Sequence, residues 1–332
     1  MVKICFKMIS VLAIGTGTTL LLAWYYLSKN KKQKPPKKWH KVGELSGLYI
    51  FPVKSFSFIQ ENSLECTQLG LKSGWLRDRT LMVIDHDKKF LTLRQHPKMV
   101  HIKPSVTDTT LTLAAPGMTS ISIDLSNVGK IFNTLIYGQQ VPASDCGNEV
   151  AKWLSNYLLQ EESGLRLVYY PLDEPYRDIS SSLKVFPLLK NEHAGAYGDE
   201  SSYSLLNESS LAHLNTRLDE PITADQLRMN FIVKGAEPHD EDNWDWIKIG
   251  DVTFRNIRPC TRCAVTTVDP KTATKHPNFE PVKTLRKYRS PDDPDVRKFV
   301  KGSPVMGIHL GLMGTNGFVK INDPVYVGIN GD

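Results

Sequence analysis

Apolar positions along the chain fall mostly in short runs rich in β-branched and aromatic residues, bounded by turn-forming residues, which is the pattern of strands and not of long helices. Such runs predict strands at Leu48–Val53, Thr80–Asp85, Lys89–Leu93, Thr109–Ala114, Ser120–Leu125, Leu165–Tyr170, Phe231–Lys234, Val252–Ile257, Ala264–Val268 and Pro324–Val327. Two segments carry a helical period instead. In Glu149–Leu159, Val150, Trp153, Leu154, Tyr157 and Leu158 recur at i, i+3, i+4, i+7 and i+8, with Ser144 or Asp145 placed to cap the start. In Glu208–Leu218, Leu211, Leu214 and Leu218 share a face behind Asn207 as N-cap. Both stripes read as core. The polar, proline-containing stretch Leu172–Lys184 is the best boundary, so the class is α+β, mostly β, in two β-rich units.

The longest apolar run has a different destination. No charge occurs between Lys7 and Lys29, and as a helix the segment 8–28 would reach about 30 Å, the thickness of a hydrocarbon core. Trp24, Tyr25 and Tyr26 stand at its C-terminal end, and seven lysines follow within Lys29–Lys41 against two before it. A cleaved secretory signal would carry its charge in front and a small-residue cleavage site behind. The reading is therefore a short tail (1–7), a single-pass signal anchor (8–28) and a basic linker (29–42), with the remainder facing the cytosol by the positive-inside bias. Moderate hydrophobicity with basic flanks suits the mitochondrial outer membrane; the endoplasmic reticulum and the peroxisome are alternatives.

Net charge changes the picture only through its location. The formal charge is +6, but nine of the 41 basic residues and no acid lie in residues 1–41, leaving 32 basic against 35 acidic side chains. The folded part is mildly acidic, which excludes a general nucleic-acid footprint. Five cysteines in 332 residues give no disulfide framework and point to a reducing compartment.

The sharpest chemical feature is Arg258-Pro-Cys-Thr-Arg-Cys263. Structural zinc needs further ligands, and only His276 and His309 lie downstream, at unusual spacing. A thioredoxin-type pair opens a helix, whereas the β-branched Val265–Val268 propose a strand. Two adjacent arginines favour a thiolate, either as nucleophile or as soft-metal ligand. Lys54-Ser55, Arg79 and Arg228 are isolated polar residues at apolar strand ends; with Arg262 they could hold a phosphate-bearing cofactor, if the fold brings them together.

In order along the chain, Leu48-Tyr-Ile-Phe-Pro-Val-Lys-Ser55, Gly70–Arg79, Ile249–Phe254, Cys260–Pro270 and Asp323–Val327 resemble the MOSC-domain proteins, and within them the mitochondrial amidoxime-reducing component family. The resemblance runs from about residue 43 to the C-terminus. It implies a MOSC N-terminal β-rich domain over 43–176 and a MOSC domain over 177–332, two β-barrel-like units behind the anchor. It also implies a molybdenum cofactor, with Cys263 as the protein thiolate on the metal and Cys260 as a neighbour only. Lys54, Ser55, Arg79, Ser201, Arg228, Thr261, Arg262 and Cys263 would contact the cofactor, and Asp199 would lie close to the metal as a catalytic acid or an orienting group. Glu200 stands where relatives carry a small hydroxyl residue, and His309 where they carry a tyrosine.

The implied activity is reduction of N-hydroxylated compounds such as amidoximes and hydroxylamines, with nitrite as a further candidate. No Rossmann glycine fingerprint and no haem-attachment motif is present, so electrons must come from outside. The resemblance names NADH, cytochrome b5 reductase and cytochrome b5. The alternatives are a molybdenum-cofactor carrier and a persulfide sulfur-transfer protein using Cys263; sulfurases of that type add a pyridoxal-phosphate domain for which the chain leaves no room.

Overall fold

In the computed structural model the described residues are 34–179, 182 and 184–329, so the anchor expected at 8–28 lies outside them. Among the described residues no helix is long and apolar enough to cross a membrane. Residues Lys41–Val327 form one compact unit.

Seven strands close a barrel: β1 (Lys38–Ile50), β2 (Tyr203–Asn207), β3 (Phe231–Lys234), β4 (Trp246–Ile249), β5 (Val252–Thr261), β6 (Val305–Met313) and β7 (Pro324–Ile329). Their order around the wall is β3, β2, β6, β5, β4, β7, β1 and back to β3. Closure depends on β1, which precedes the sequence boundary yet pairs antiparallel with β3 in the register Leu48 to Phe231. A bulge between Leu45 and Gly47 bends the strand there. Closing the sheet leaves no exposed edge and lets the inward residues of every strand share one core. That core contains Leu45, Leu48, Tyr203, Leu205, Phe231, Ile247, Phe254, Ile308 and Leu310.

Smaller open sheets pack around the barrel. One joins Leu81–Ile84 with Ile131–Ile136, Gln139–Asp145 and Arg166–Tyr169; another is a three-stranded meander over residues 103–124. Helix α1 (Asn148–Leu159) buries Val150, Trp153 and Leu154, as its period predicts, against Leu81, Val83, Leu111, Leu113 and Leu167. Neither Ser144 nor Asp145 caps it: the N-cap is Gly147 at φ 104°, and Asp145 instead accepts from the Gly147 N–H and pairs with Arg166. Helix α2 (Glu208–Asn215) starts as expected, with the Asn207 side chain accepting from Ser209 N–H.

Three strand expectations are corrected. The run Leu48–Val53 leaves the barrel at Ile50, and Lys89–Leu93 makes only isolated bridges at Lys89 and Phe90. Ala264–Thr267 is a 3-10 turn behind Cys263, in which Thr266 and Thr267 turn their hydroxyls back onto the Cys263 and Ala264 carbonyls. β-Branched residues prefer strands only where a pleated surface awaits them; here their hydroxyls close a local turn.

Candidate functional site

At one end of the barrel the chain segments around it leave a cavity of about 490 Å³. It is lined by Lys54, Ser55, Arg79, Asp199, Ser201, Arg228, Thr261, Arg262 and Cys263, so the residues that the resemblance implies reach the same space, while His276 does not. The elements that carry them are distant in sequence. Lys54 and Ser55 follow β1, Arg79 follows the short strand Leu76–Arg77, and Asp199–Ser201 lead into β2. Arg228 joins α3 (Ala224–Leu227) to β3, and Thr261–Cys263 leave β5.

Backbone conformation sets three of these residues apart. Ser55, Arg79 and Arg228 have φ of 74°, 50° and 57°, a region L residues seldom occupy. Such conformations persist where the surroundings over-determine them, and here those surroundings are visible. Arg79 N–H donates to the Phe51 carbonyl at 2.7 Å, and its Nη2 donates to the Arg228 carbonyl at 3.0 Å. The guanidinium carbons of Arg79 and Arg228 lie 4.7 and 4.5 Å from the centre of the Phe51 ring. Asp78, buried, pairs with Arg79 and accepts from Phe51 N–H and Asn230.

The lining is strongly basic: Lys54, Arg79, Arg94, Arg177, Arg228, Arg258 and Arg262 face Asp178, Asp199 and Glu200. Burial, reinforced by the neighbouring Arg79, pushes Arg228 down to about 9. Buried Arg228 Nη2, Arg258 Nη2 and Arg177 Nε have no hydrogen-bond partner among the described residues. Orphaned donors on buried cations carry a desolvation cost that an anionic ligand would relieve.

Asp199 is clamped. Its carboxylate pairs with Lys54, accepts from the Tyr137 hydroxyl at 2.6 Å, and sits above an Arg177 guanidinium that donates to its own carbonyl at 3.2 Å. Burial alone would raise this carboxyl, but Lys54 and Tyr137 hold it well below the usual carboxylate range. It is therefore ionised and poorly suited to carrying a proton.

The two cysteines differ. The Cys263 thiol is pushed up by burial, which outweighs the Val265 backbone N–H, Arg94 and Arg262. Against the same burial, Arg262 and His309 pull Cys260 down to about 7. A metal on Cys263 would change this order, since coordination deprotonates a thiol outright. Among the described residues no group of three or more His, Cys, Asp or Glu could hold a metal ion.

Arg262 reaches the cavity, but its guanidinium is largely occupied by the protein. Nε and Nη2 donate to the Met306 carbonyl at 2.9 and 2.5 Å, Nη1 to the Leu227 carbonyl at 2.8 Å, and Nη2 also meets Met229 Sδ at 2.9 Å. The Ser201 hydroxyl is likewise engaged, by the Tyr203 carbonyl and by His309.

Sequence reasoning missed Tyr137, Arg94 and Arg177. Arg177 falls inside the polar stretch read as a boundary, yet it is 4% exposed and also donates to the Ala194 carbonyl at 2.8 Å. Tyr137 occupies the tip of a hairpin at φ 49°, where nothing local distinguishes it from any turn residue. Arg258 stood in the cysteine motif but was not assigned to the site; its Nη1 pairs with Glu200 at 2.9 Å.

Comparison with known proteins adds an independent line. Residues 42–161 match the model of the MOSC N-terminal beta barrel domain, and 192–326 that of the MOSC domain. The chain is 36% identical over 292 residues to mitochondrial amidoxime reducing component 2 of Bos taurus, covering 87% of this chain and 84% of the relative. It is 34% identical to component 2 of Rattus norvegicus (96% and 92% covered) and 34% to component 1 of Homo sapiens (86% and 83%). Among solved structures, the YUAD protein of Bacillus subtilis matches at TM-score 0.34 and 13% identity, over 87% of this chain and 97% of that one.

Proposed function

This chain belongs to the MOSC family, among the mitochondrial amidoxime-reducing components, and from that premise we propose that it reduces N-hydroxylated compounds with a molybdenum cofactor held in the barrel-end cavity. The observation that carries the reading is the cavity itself. It combines two cysteines, Cys260 and Cys263, of which the family resemblance puts Cys263 on the metal, with orphaned buried donors on Arg228, Arg258 and Arg177. A single protein thiolate suits a metal whose other donors arrive with an anionic ligand.

When bound, the cofactor supplies the two-electron chemistry. The overall change is R–C(=NOH)NH₂ + 2e⁻ + 2H⁺ → R–C(=NH)NH₂ + H₂O; hydroxylamines follow the same balance to the amine, and nitrite is a further candidate. Cys263 would hold the metal. Arg228, Arg79, Arg258, Ser55 and Thr261, all on the cavity wall, would hold the phosphate-bearing pterin. Arg262 supports the wall through the Met306 and Leu227 carbonyls and offers the ligand its positive charge more than its donors. Ser201 acts through its contacts with His309 and the Tyr203 carbonyl. Lys54 fixes Asp199 at the site, so Asp199 orients the surrounding cations in preference to relaying protons.

Electrons would come from NADH through cytochrome b5 reductase and cytochrome b5. Residues 8–28 would anchor the protein in the mitochondrial outer membrane with the MOSC domains in the cytosol, where similarly anchored partners meet at raised effective concentration. The test is turnover of benzamidoxime by purified protein of measured molybdenum and pterin content, with reduced cytochrome b5 as donor. Amidine formation proportional to occupancy is expected. Full occupancy without turnover would leave a cofactor carrier and overturn the reductase.

A further inference from the structure

A carboxylate is out of place in a cavity built for an anion, yet Glu200 lines this one. Its Oε2 makes ion-pair contacts, outside hydrogen-bond geometry, with Arg258 Nη1 at 2.9 Å and His309 Nε2 at 3.3 Å. His309 is held from its other side by Ser201, whose Oγ is 2.7 Å from Nδ1.

Hydrogen-bond bookkeeping determines the protonation of this imidazole. The single proton of the Ser201 hydroxyl goes to the Tyr203 carbonyl, 2.7 Å away, because a carbonyl can only accept. Toward His309 the same oxygen must accept, so Nδ1 carries hydrogen. Nε2 faces a carboxylate and would be repelled by it if bare. Both ring nitrogens are therefore protonated. We infer that His309 is a positioning residue, an imidazolium that together with Arg258 pins the Glu200 carboxylate and so lets an acidic side chain line an anion-binding cavity.

The surroundings agree. Burial opposes a charged His309, but Cys260 and Glu200 outweigh it and push the imidazole up to about 9. The charged and titratable groups facing the pair are Arg258, Cys260 and Arg262 from β5 and its end, Asp199 from the loop before β2, and Arg177 from the stretch 172–184. His193 lies beyond Gly311 on β6, and burial lowers it, so it adds no fixed charge. Arg258 stands opposite His309 in the β5–β6 register, which puts both cations on the same carboxylate. Without His309, Arg258 alone would hold Glu200, and the freed carboxylate would compete with the ligand for the surrounding guanidiniums.

The inference rests on the cavity holding an anionic pterin cofactor, and its test separates the two. Pterin retained per mole of protein after dialysis at pH 7 is measured for wild type, His309→Phe, Glu200→Gln and the double variant. His309→Phe should retain about 10- to 100-fold less tightly, the effect of one unscreened like charge a few ångströms away. Glu200→Gln should retain at least as well as wild type, and the double variant should recover most of the loss. Raising the pH through about 9 should weaken retention in wild type but not in Glu200→Gln. Wild-type retention in His309→Phe, or no recovery in the double variant, overturns the inference. Absence of pterin from wild type would overturn the cofactor reading instead. An NMR titration of the His309 ring needs no cofactor: a wild-type midpoint near 9 that falls in Glu200→Gln by part of the shift, Cys260 supplying the rest, supports the pinned pair, and a wild-type midpoint at or below 6.5, or one unmoved in Glu200→Gln, overturns it.

Discussion

Replacing Arg262 by Met separates a strut from a ligand contact. Arg262 is 4% exposed, and four short contacts tie its guanidinium to the Met306 carbonyl, the Leu227 carbonyl and Met229 Sδ. Met keeps the length of the side chain and removes every donor, leaving two carbonyls without that partner at about 1–3 kcal/mol each. Removing a buried charge returns part of this. A net loss of about 2–4 kcal/mol is expected, a large share of the roughly 5–15 kcal/mol that stabilises an ordinary domain. With a urea slope of about 3 kcal/mol per molar, the apparent unfolding midpoint of the cofactor-free protein should fall by about 1 M. Urea titration followed by tryptophan fluorescence measures it. A shift under about 0.2 M, accompanied by loss of pterin binding, would show that Arg262 serves the ligand and that its carbonyl bonds are incidental.

Other outcomes follow from the same geometry. Cys263→Ala should abolish benzamidoxime reduction while Cys260→Ser leaves substantial activity; equal losses would point to a paired-thiol site. Glu241, 0% exposed, is pushed up to about 7 by burial despite its bond from Ser210. Its folded value lies above the unfolded one of 4.5, so its contribution is fully present below pH 4.5 and lost as pH rises through about 7. Glu241→Gln should therefore raise the melting temperature at pH 8, by up to about 3 kcal/mol in stability, and give no gain at pH 4.5. Asp199→Asn leaves the buried Lys54 ammonium without its counter-charge, so thermal stability at pH 7 should fall. Because the Asp199 carboxyl is depressed on folding, its contribution is present above pH 3.8 and lost as pH falls, and the wild-type advantage should vanish in acid.

What the amino-acid order determined by itself is what short-range physics decides. Apolar periodicity placed α1 and its buried face, and a side-chain amide at Asn207 placed the start of α2. Strand-forming runs identified a mostly β protein, and motifs in sequence identified its family. Tertiary structure decided the rest, because the deciding contacts join residues far apart in the chain. Thr266 and Thr267 left the expected strand for a turn once their hydroxyls found local carbonyls. Arg177 looked like linker until burial tied it to Asp199 and Ala194. The adjacent arginines suggested a thiolate within the motif but not on which sulfur; burial raises Cys263, whereas Arg262 and His309, the latter 46 positions beyond Cys263 along the chain, pull Cys260 down against the same burial. Glu200 and His309 are unrelated letters 109 positions apart; only closure of the barrel brings carboxylate and imidazole to 3.3 Å, where the charge of each fixes that of the other.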